Sequence, residues 1–281
     1  MAKNDREQIR RLREEANALR EQAEAKKRRQ RMVAQIGTVI AALAIIGIIV
    51  FVTVMAPQWF GNRNTPEATG TVSVASAEGE PSEVPIEING DGITVGKAEA
   101  PDTIDYYVDF SCPHCRDYHL AMDSTYQGLI AEGKIKVNYH FIRYVDDYGM
   151  RAGGAMAAAV KADPASFYSI VDSLFEVDAQ TQVGWSEADY AAHLQSLGIT
   201  NPEVIEAVNG GDYNWWIMDR SNAARSAGVK GTPSVALNGT VLQNLPTPET
   251  LGPLLDGVSE DELAESQPPA PTDTTSEDDG K

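Results

Sequence analysis

Residues 106–119 read YYVDFSCPHCRDYH, and the fold turns on how they are read. They hold both cysteines of the 281-residue chain, separated only by Pro113 and His114. Upstream, TIDYYVDF (103–110) is β-branched and aromatic, the pattern of a buried strand. Downstream, Tyr118, Met122, Leu129 and Ile130 recur near helical spacing until Gly133 stops the run. Pro113 suits the first position of a helix, where its missing N–H is not needed. The pattern therefore predicts a strand, a tight joint carrying Cys112, and a helix that begins at Pro113.

That placement has chemical consequences. Free backbone N–H groups and the positive end of the helix dipole would face the Cys112 sulfur and favour its thiolate. His114 would add a donor or partial positive charge beside it. Cys115, nearly one turn on, would be deeper and less acidic. The expected division of labour is an exposed, attacking Cys112 and a buried, resolving Cys115. A structural disulfide is the weaker alternative, because a three-residue separation closes almost no loop. A metal site is weaker too. Cys112, Cys115 and His119 have C-x2-C-x3-H spacing, but His140 and His193 form no second ligand pair. No cofactor is called for, since the sulfur pair carries its own chemistry.

Working outward, KIKVNYHFI (134–142) reads as a second strand. VPIEINGDGITVG reads as two short strands around an Asn-Gly-Asp-Gly turn. About 80 residues from Asp146 to Gly228 read as mainly helical. SVALNG then gives a third clear strand turning into TVLQ, and PTPETLGPLLDGV a last helix. The order implies an α/β fold, a central sheet with helices on its faces and an all-helical insertion. Thr232-Pro233, in GVKGTPSVALNG, precedes a strand where proline is tolerated. Phe110 and at least one of Trp215 and Trp216 are expected in the core rather than in a substrate groove.

Taken together, ITVGKAEAPDTIDYYVDFSCPHC, the helical block and GVKGTPSVALNG resemble the DsbA-like thiol–disulfide oxidoreductases, which have a thioredoxin fold. The resemblance spreads over about 175 residues and implies several things. Thr232-Pro233 would be cis and face the cysteines, with the Thr232 backbone pairing with an extended substrate. The helical insertion, about 146–228, would lie over the active site. The Cys112–Cys115 disulfide would pass to exported proteins with reduced cysteines, and a quinone-linked membrane partner would reoxidise the pair. A reductase or isomerase on the same fold, or a non-catalytic peptide-binding module, are the alternatives. Many relatives carry a buried acid six residues before the first cysteine, where this chain has Tyr106. Asp105 should face the opposite side of the strand from Tyr106, and Asp109 the same side as Asp105.

The remainder of the chain sets the compartment. Residues 1–31 carry 11 Lys/Arg against 6 Asp/Glu, a net of +5; taking this from −18 leaves −23 for the rest. Such acidity argues against nucleic-acid binding. Residues 32–56 hold 25 residues without a charge, long enough for a transmembrane helix and longer than the apolar core of a signal peptide. Basic residues crowd its N-terminal side, so the N-terminus would be cytoplasmic and residues 57–281 extracytoplasmic. Ile9, Leu12, Ala16, Leu19 and Ala23 form a short a/d seam that would allow a weak coiled-coil dimer, against the favoured reading of a solvated, basic cytoplasmic helix leading into the membrane. Residues 57–83 read as a flexible linker, 84–258 as the folded domain, and 259–281 as a disordered acidic tail.

Overall fold

The computed structural model describes residues 26–29, 32, 35–38, 42–51, 64–76 and 80–266. The chain divides into two units, Met1–Gly61 and Asn62–Lys281. In the first, the described residues are helical and exposed. Among the described residues no helix is long and apolar enough to cross a membrane. The seam at residues 9–23 and much of 32–56 lie outside the described residues.

The second unit holds a seven-stranded sheet in the order β1-β2-β3-β5-β4-β6-β7. Its strands are β1 (Ala68–Val74), β2 (Ser82–Asn89), β3 (Gly92–Val95), β4 (Asp102–Val108), β5 (Ile135–Phe141), β6 (Ser234–Leu237) and β7 (Thr240–Val241). Among the described strands only β4 and β5 pair in parallel; the other pairings are antiparallel. A parallel pair needs a crossover, and α1 (Pro113–Ala131) supplies it. The helix buries Cys115, His119, Met122, Tyr126 and Ile130, a stripe spaced three or four residues apart. The β6–β7 hairpin closes through Asn238 and Gly239, with φ of 50° and 81°, as the Asn-Gly pair predicts.

Between β5 and β6 stand α2 (Asp147–Ala162), a short 3-10 turn (Pro164–Ser166), α3 (Phe167–Glu176), α4 (Ala179–Gly184), α5 (Glu187–Ser196), α6 (Pro202–Gly210) and α7 (Asn214–Ser226). This is the expected helical insertion. Helix α2 is alanine-rich because neighbours crowd it on several sides. A Cβ at Gly154 would lie 2.3 Å from Asn214 Oδ1 on α7. After β7 follow α8 (Pro248–Leu255) and α9 (Glu260–Ser266).

Two boundaries differ from the sequence reading. Residues 68–74, expected within the linker 57–83, instead form β1 and pair with residues 82–88 of β2. In ATGTVSV only Val72 and Val74 carry the apolar alternation, and both are buried. Residues 260–266, expected within the disordered tail 259–281, instead form α9, which Ser259 caps. The Ser259 N–H and hydroxyl both donate to Glu262, at 3.0 and 2.8 Å. Glu260 then accepts from the backbone N–H groups of Gln243 and Asn244, fastening α9 to the domain. Phe110 and Trp216 are buried, whereas Trp215 is 39% exposed, in line with the expectation.

Candidate active site

Strand β4 stops at Val108, and four residues later Cys112 occupies the N-cap of α1 with Pro113 at its first turn. No side chain caps this end, so its N–H groups are left facing the cysteine. Both cysteines are free thiols. The Cys112 Sγ–H donates to the Thr232 carbonyl at 3.3 Å, across 120 residues of sequence. The Asp109 N–H donates to Cys115 Sγ at 3.5 Å. The Thr232–Pro233 peptide is cis and lies between α7 and β6.

The two sulfurs differ sharply in acidity. The Cys112 thiol is lowered from 9.0 to about 6. Its thiolate accepts first from the Cys115 S–H, then from the Thr232 side chain and from the backbone N–H groups of Cys115 and His114, all against the opposing effect of burial. The Thr232 hydroxyl is buried and has no other partner. Cys115 is pushed far up, first by burial and then by the bond it donates to Cys112. The bond that lowers one thiol therefore raises the other. Cys112 was expected to be exposed; it is 5% exposed, because the Thr232 segment covers it, while Cys115 is 0% exposed. Pro113 and His114 are exposed, and His114 reaches the thiolate through its backbone N–H.

Sequence reasoning left Asp109 without a place, and the structure gives it one. It is fully buried, and its carboxylate takes four donors. Oδ1 accepts from the Ser111 N–H at 2.8 Å and hydroxyl at 2.5 Å. Oδ2 accepts from the N–H groups of Tyr144 and Val145, each at 2.7 Å. Asp109 thus pins the cysteine joint to the β5–α2 loop. Tyr144 in turn donates its hydroxyl to the Lys230 carbonyl, tying that loop to the segment before Thr232. A Cβ at Gly149 would sit 1.8 Å from Asp109 Oδ1, so α2 can approach only because this residue is glycine. The local signal was Asp-x-Ser, a side chain bonding the backbone two residues on. Its partners in the other loop carry no sequence signal.

Asp105 lies on the other face of the sheet. His140 Nε2 and Asn138 Nδ2 both lie 2.9 Å from its Oδ1. Burial works against its ionised form, yet these bonds hold its carboxyl below the usual value. Tyr106 is 1% exposed, and its hydroxyl has no partner.

A free thiol pair at a helix head, facing a cis-proline in this sheet, defines the class of DsbA-like thiol–disulfide oxidoreductases. The protein-family model described as Thioredoxin matches residues 88–257, and the chain belongs to that family. Its curated relatives include the serine/threonine-protein kinase PknE of Mycobacterium tuberculosis, 29% identical over 187 residues. That match covers 61% of this chain, which spans only 33% of the kinase. Disulfide bond formation protein D of Bacillus subtilis is 25% identical over 186 residues, covering 65% of this chain and 79% of the relative. Among solved structures, the thiol-disulfide oxidoreductase MdbA of Corynebacterium diphtheriae superposes with a TM-score of 0.51 at 22% identity. That superposition covers 68% of this chain and 95% of MdbA.

Proposed function

We propose that the protein is a membrane-tethered dithiol oxidase that introduces disulfides into exported proteins through Cys112 and Cys115. The observation that carries this reading is the split between the two thiols, with Cys112 at about 6 and Cys115 held neutral. A stabilised Cys112 thiolate favours the reduced pair, which makes the oxidised pair a strong oxidant.

The reaction proceeds in two exchanges. A substrate thiolate attacks Cys112 Sγ, the less buried sulfur, and Cys115 leaves with the electron pair. A second substrate thiolate then attacks the substrate sulfur of the mixed disulfide. Cys112 departs readily because its thiolate is the stabilised one. The Thr232 backbone, already within reach of Cys112, pairs with the extended substrate, and Pro233 shapes that edge. His114 and Pro113 form the exposed lip. A quinone-linked membrane partner takes the two electrons and restores the disulfide.

In this reading residues 1–31 are cytoplasmic, 32–56 anchor the chain, and the catalytic domain is extracytoplasmic. Support comes from the described part of the anchor. Leu43, Ile45, Ile46, Ile48, Ile49, Val50 and Phe51 expose apolar side chains all round a helix, as suits lipid. The test is to mix the oxidised full chain with a reduced peptide bearing two thiols. Rapid, stoichiometric peptide oxidation is expected. A peptide that stays largely reduced at equilibrium with the oxidised chain contradicts the reading.

A further inference from the structure

Four successive backbone N–H groups in the β5–α2 loop, those of residues 143–146, are taken by side chains. The Arg143 N–H donates to Ser221 Oγ at 2.8 Å. Those of Tyr144 and Val145 donate to Asp109 Oδ2, and that of Asp146 donates to Ser111 Oγ at 3.1 Å. Ser221, on α7, and Asp109, just past β4, are both buried. Ordering a loop costs conformational entropy, and a surface connection could leave these groups to water. This loop is therefore held more firmly than joining a strand to a helix requires. What so firm a platform carries is the side chain of Tyr144.

Tyr144 is 46% exposed, so core packing does not account for its direction. Its hydroxyl crosses 86 residues of sequence to the Lys230 carbonyl. Lys230 begins a stretch, 230–233, that neither neighbouring element holds. Before it, the Val229 N–H still bonds the Ala224 carbonyl of α7 at 3.0 Å; after it, Ser234 is the first residue of β6. Packing is loose here too: Lys230 is exposed, and a Cβ at Gly231 would meet nothing within 4 Å. Among the described residues, three side chains bond the stretch. The Tyr144 hydroxyl takes the Lys230 carbonyl, the Ser234 hydroxyl takes that of Gly231 at 2.7 Å, and the Cys112 thiol takes that of Thr232 at 3.3 Å. The Ser234 bond is local. The Cys112 bond needs the thiol proton, which is gone once that sulfur is joined to Cys115 or to a substrate. In the oxidised protein, then, Tyr144 supplies the long-range bond that remains on the stretch.

We propose that Tyr144 is a positioning residue for the peptide substrate, its hydroxyl holding residues 230–233 in place so that the Thr232 backbone can pair with an extended chain while Cys112 is oxidised. The proposal rests on the reading of that stretch as the substrate edge. The same bonds form a closed circuit around the attacked sulfur. The Cys112 N–H donates to the Asp109 carbonyl at 3.0 Å, the Asp109 carboxylate holds the Tyr144 N–H, and the Tyr144 hydroxyl holds Lys230, two residues from Thr232. The cysteine joint and the substrate edge are thus set to one distance through the β5–α2 loop. Tyr144 bonds neither sulfur. Its effect falls on partners that use the peptide edge and spares small thiols that do not.

The test mixes the oxidised full chain with two reductants, a reduced peptide bearing two thiols and dithiothreitol, a small dithiol with no amide to pair. Tyr144→Phe removes only a hydroxyl from an exposed ring, so it should unfold near the parental urea midpoint. Its second-order rate constant with the peptide should fall about fivefold, the equivalent of one net hydrogen bond, while that with dithiothreitol stays within about twofold. A peptide constant within about twofold of the parent overturns the proposal. So does a parallel fall with both reductants, which would place the effect on the disulfide itself. In both cases the parent still oxidises the peptide, and the reading of the pair stands. A parent that dithiothreitol reduces and the peptide does not overturns that reading, and the proposal with it.

Discussion

Asp105 and Tyr106 are consecutive residues of β4, and they inhabit opposite worlds. Asp105, with Tyr107, faces α7 in a set of paired groups. Its carboxylate is held by His140 and Asn138, His140 stacks on Tyr107 at 4.5 Å, and Asn138 accepts from the Thr94 hydroxyl at 2.8 Å. Tyr106 faces α1 and the cysteines, and there a hydroxyl and a carboxylate oxygen go unpaired. The paired face fixes the register of β3, β4 and β5. The unpaired face gives up stability on the side that carries the reactive sulfurs.

The largest expected effect lies on the cysteine side. Cys112→Ser should abolish disulfide exchange with a dithiol peptide while unfolding at nearly the parental denaturant midpoint; residual turnover would place the attacking sulfur elsewhere. Asp105→Ala tests the other side. It strands His140 and Asn138, so urea unfolding should show a loss of about 3 kcal/mol, with the rate of Cys112 alkylation unchanged. A fall in that rate with stability intact would erase the distinction between the faces. The Asp105 contribution also has a definite pH window. Because its folded pKa is depressed, the contribution is present above the ordinary value of 3.8 and lost as pH falls through the folded value. Parent and Asp105→Asn unfolding curves should therefore converge in acid.

Gly149→Ala comes next. Its Cβ would collide with Asp109, the pin between the cysteine joint and the β5–α2 loop, at an expected cost of about 1–3 kcal/mol. The exchange rate should also fall, because the pin holds Cys112 under Thr232. The reduced form should also show a pH dependence. The Cys112 pKa is depressed, so its contribution to the reduced fold is complete above the ordinary thiol value of 9.0 and gone below about 6. The stability gap between reduced and oxidised protein, followed by denaturation from pH 9 down to 5, should move in the oxidised form's favour as pH falls.

These residues also mark what could be read in the sequence. The cysteine joint was legible because its geometry is local: a strand, a proline at the first helical position, and one helical turn. The helical insertion and the Asn-Gly hairpin were legible for the same reason. β1 was not, since Thr, Ser and Gly fill ATGTVSV and its strand character comes from pairing with β2. Asp109 looked like an ordinary strand-end acid because two of its four donors are backbone groups some 35 residues away. Thr232 could be placed beside Cys112 only through family resemblance; spacing alone cannot join residues 120 apart.

The central claim is that this thiol pair is built to be oxidising, and its equilibrium with glutathione measures that directly. The account predicts a potential nearer about −120 mV than about −270 mV, with the pair readily reduced by glutathione. A potential close to about −270 mV would mean that the reduced form gains nothing from the Cys112 thiolate, and would contradict the account.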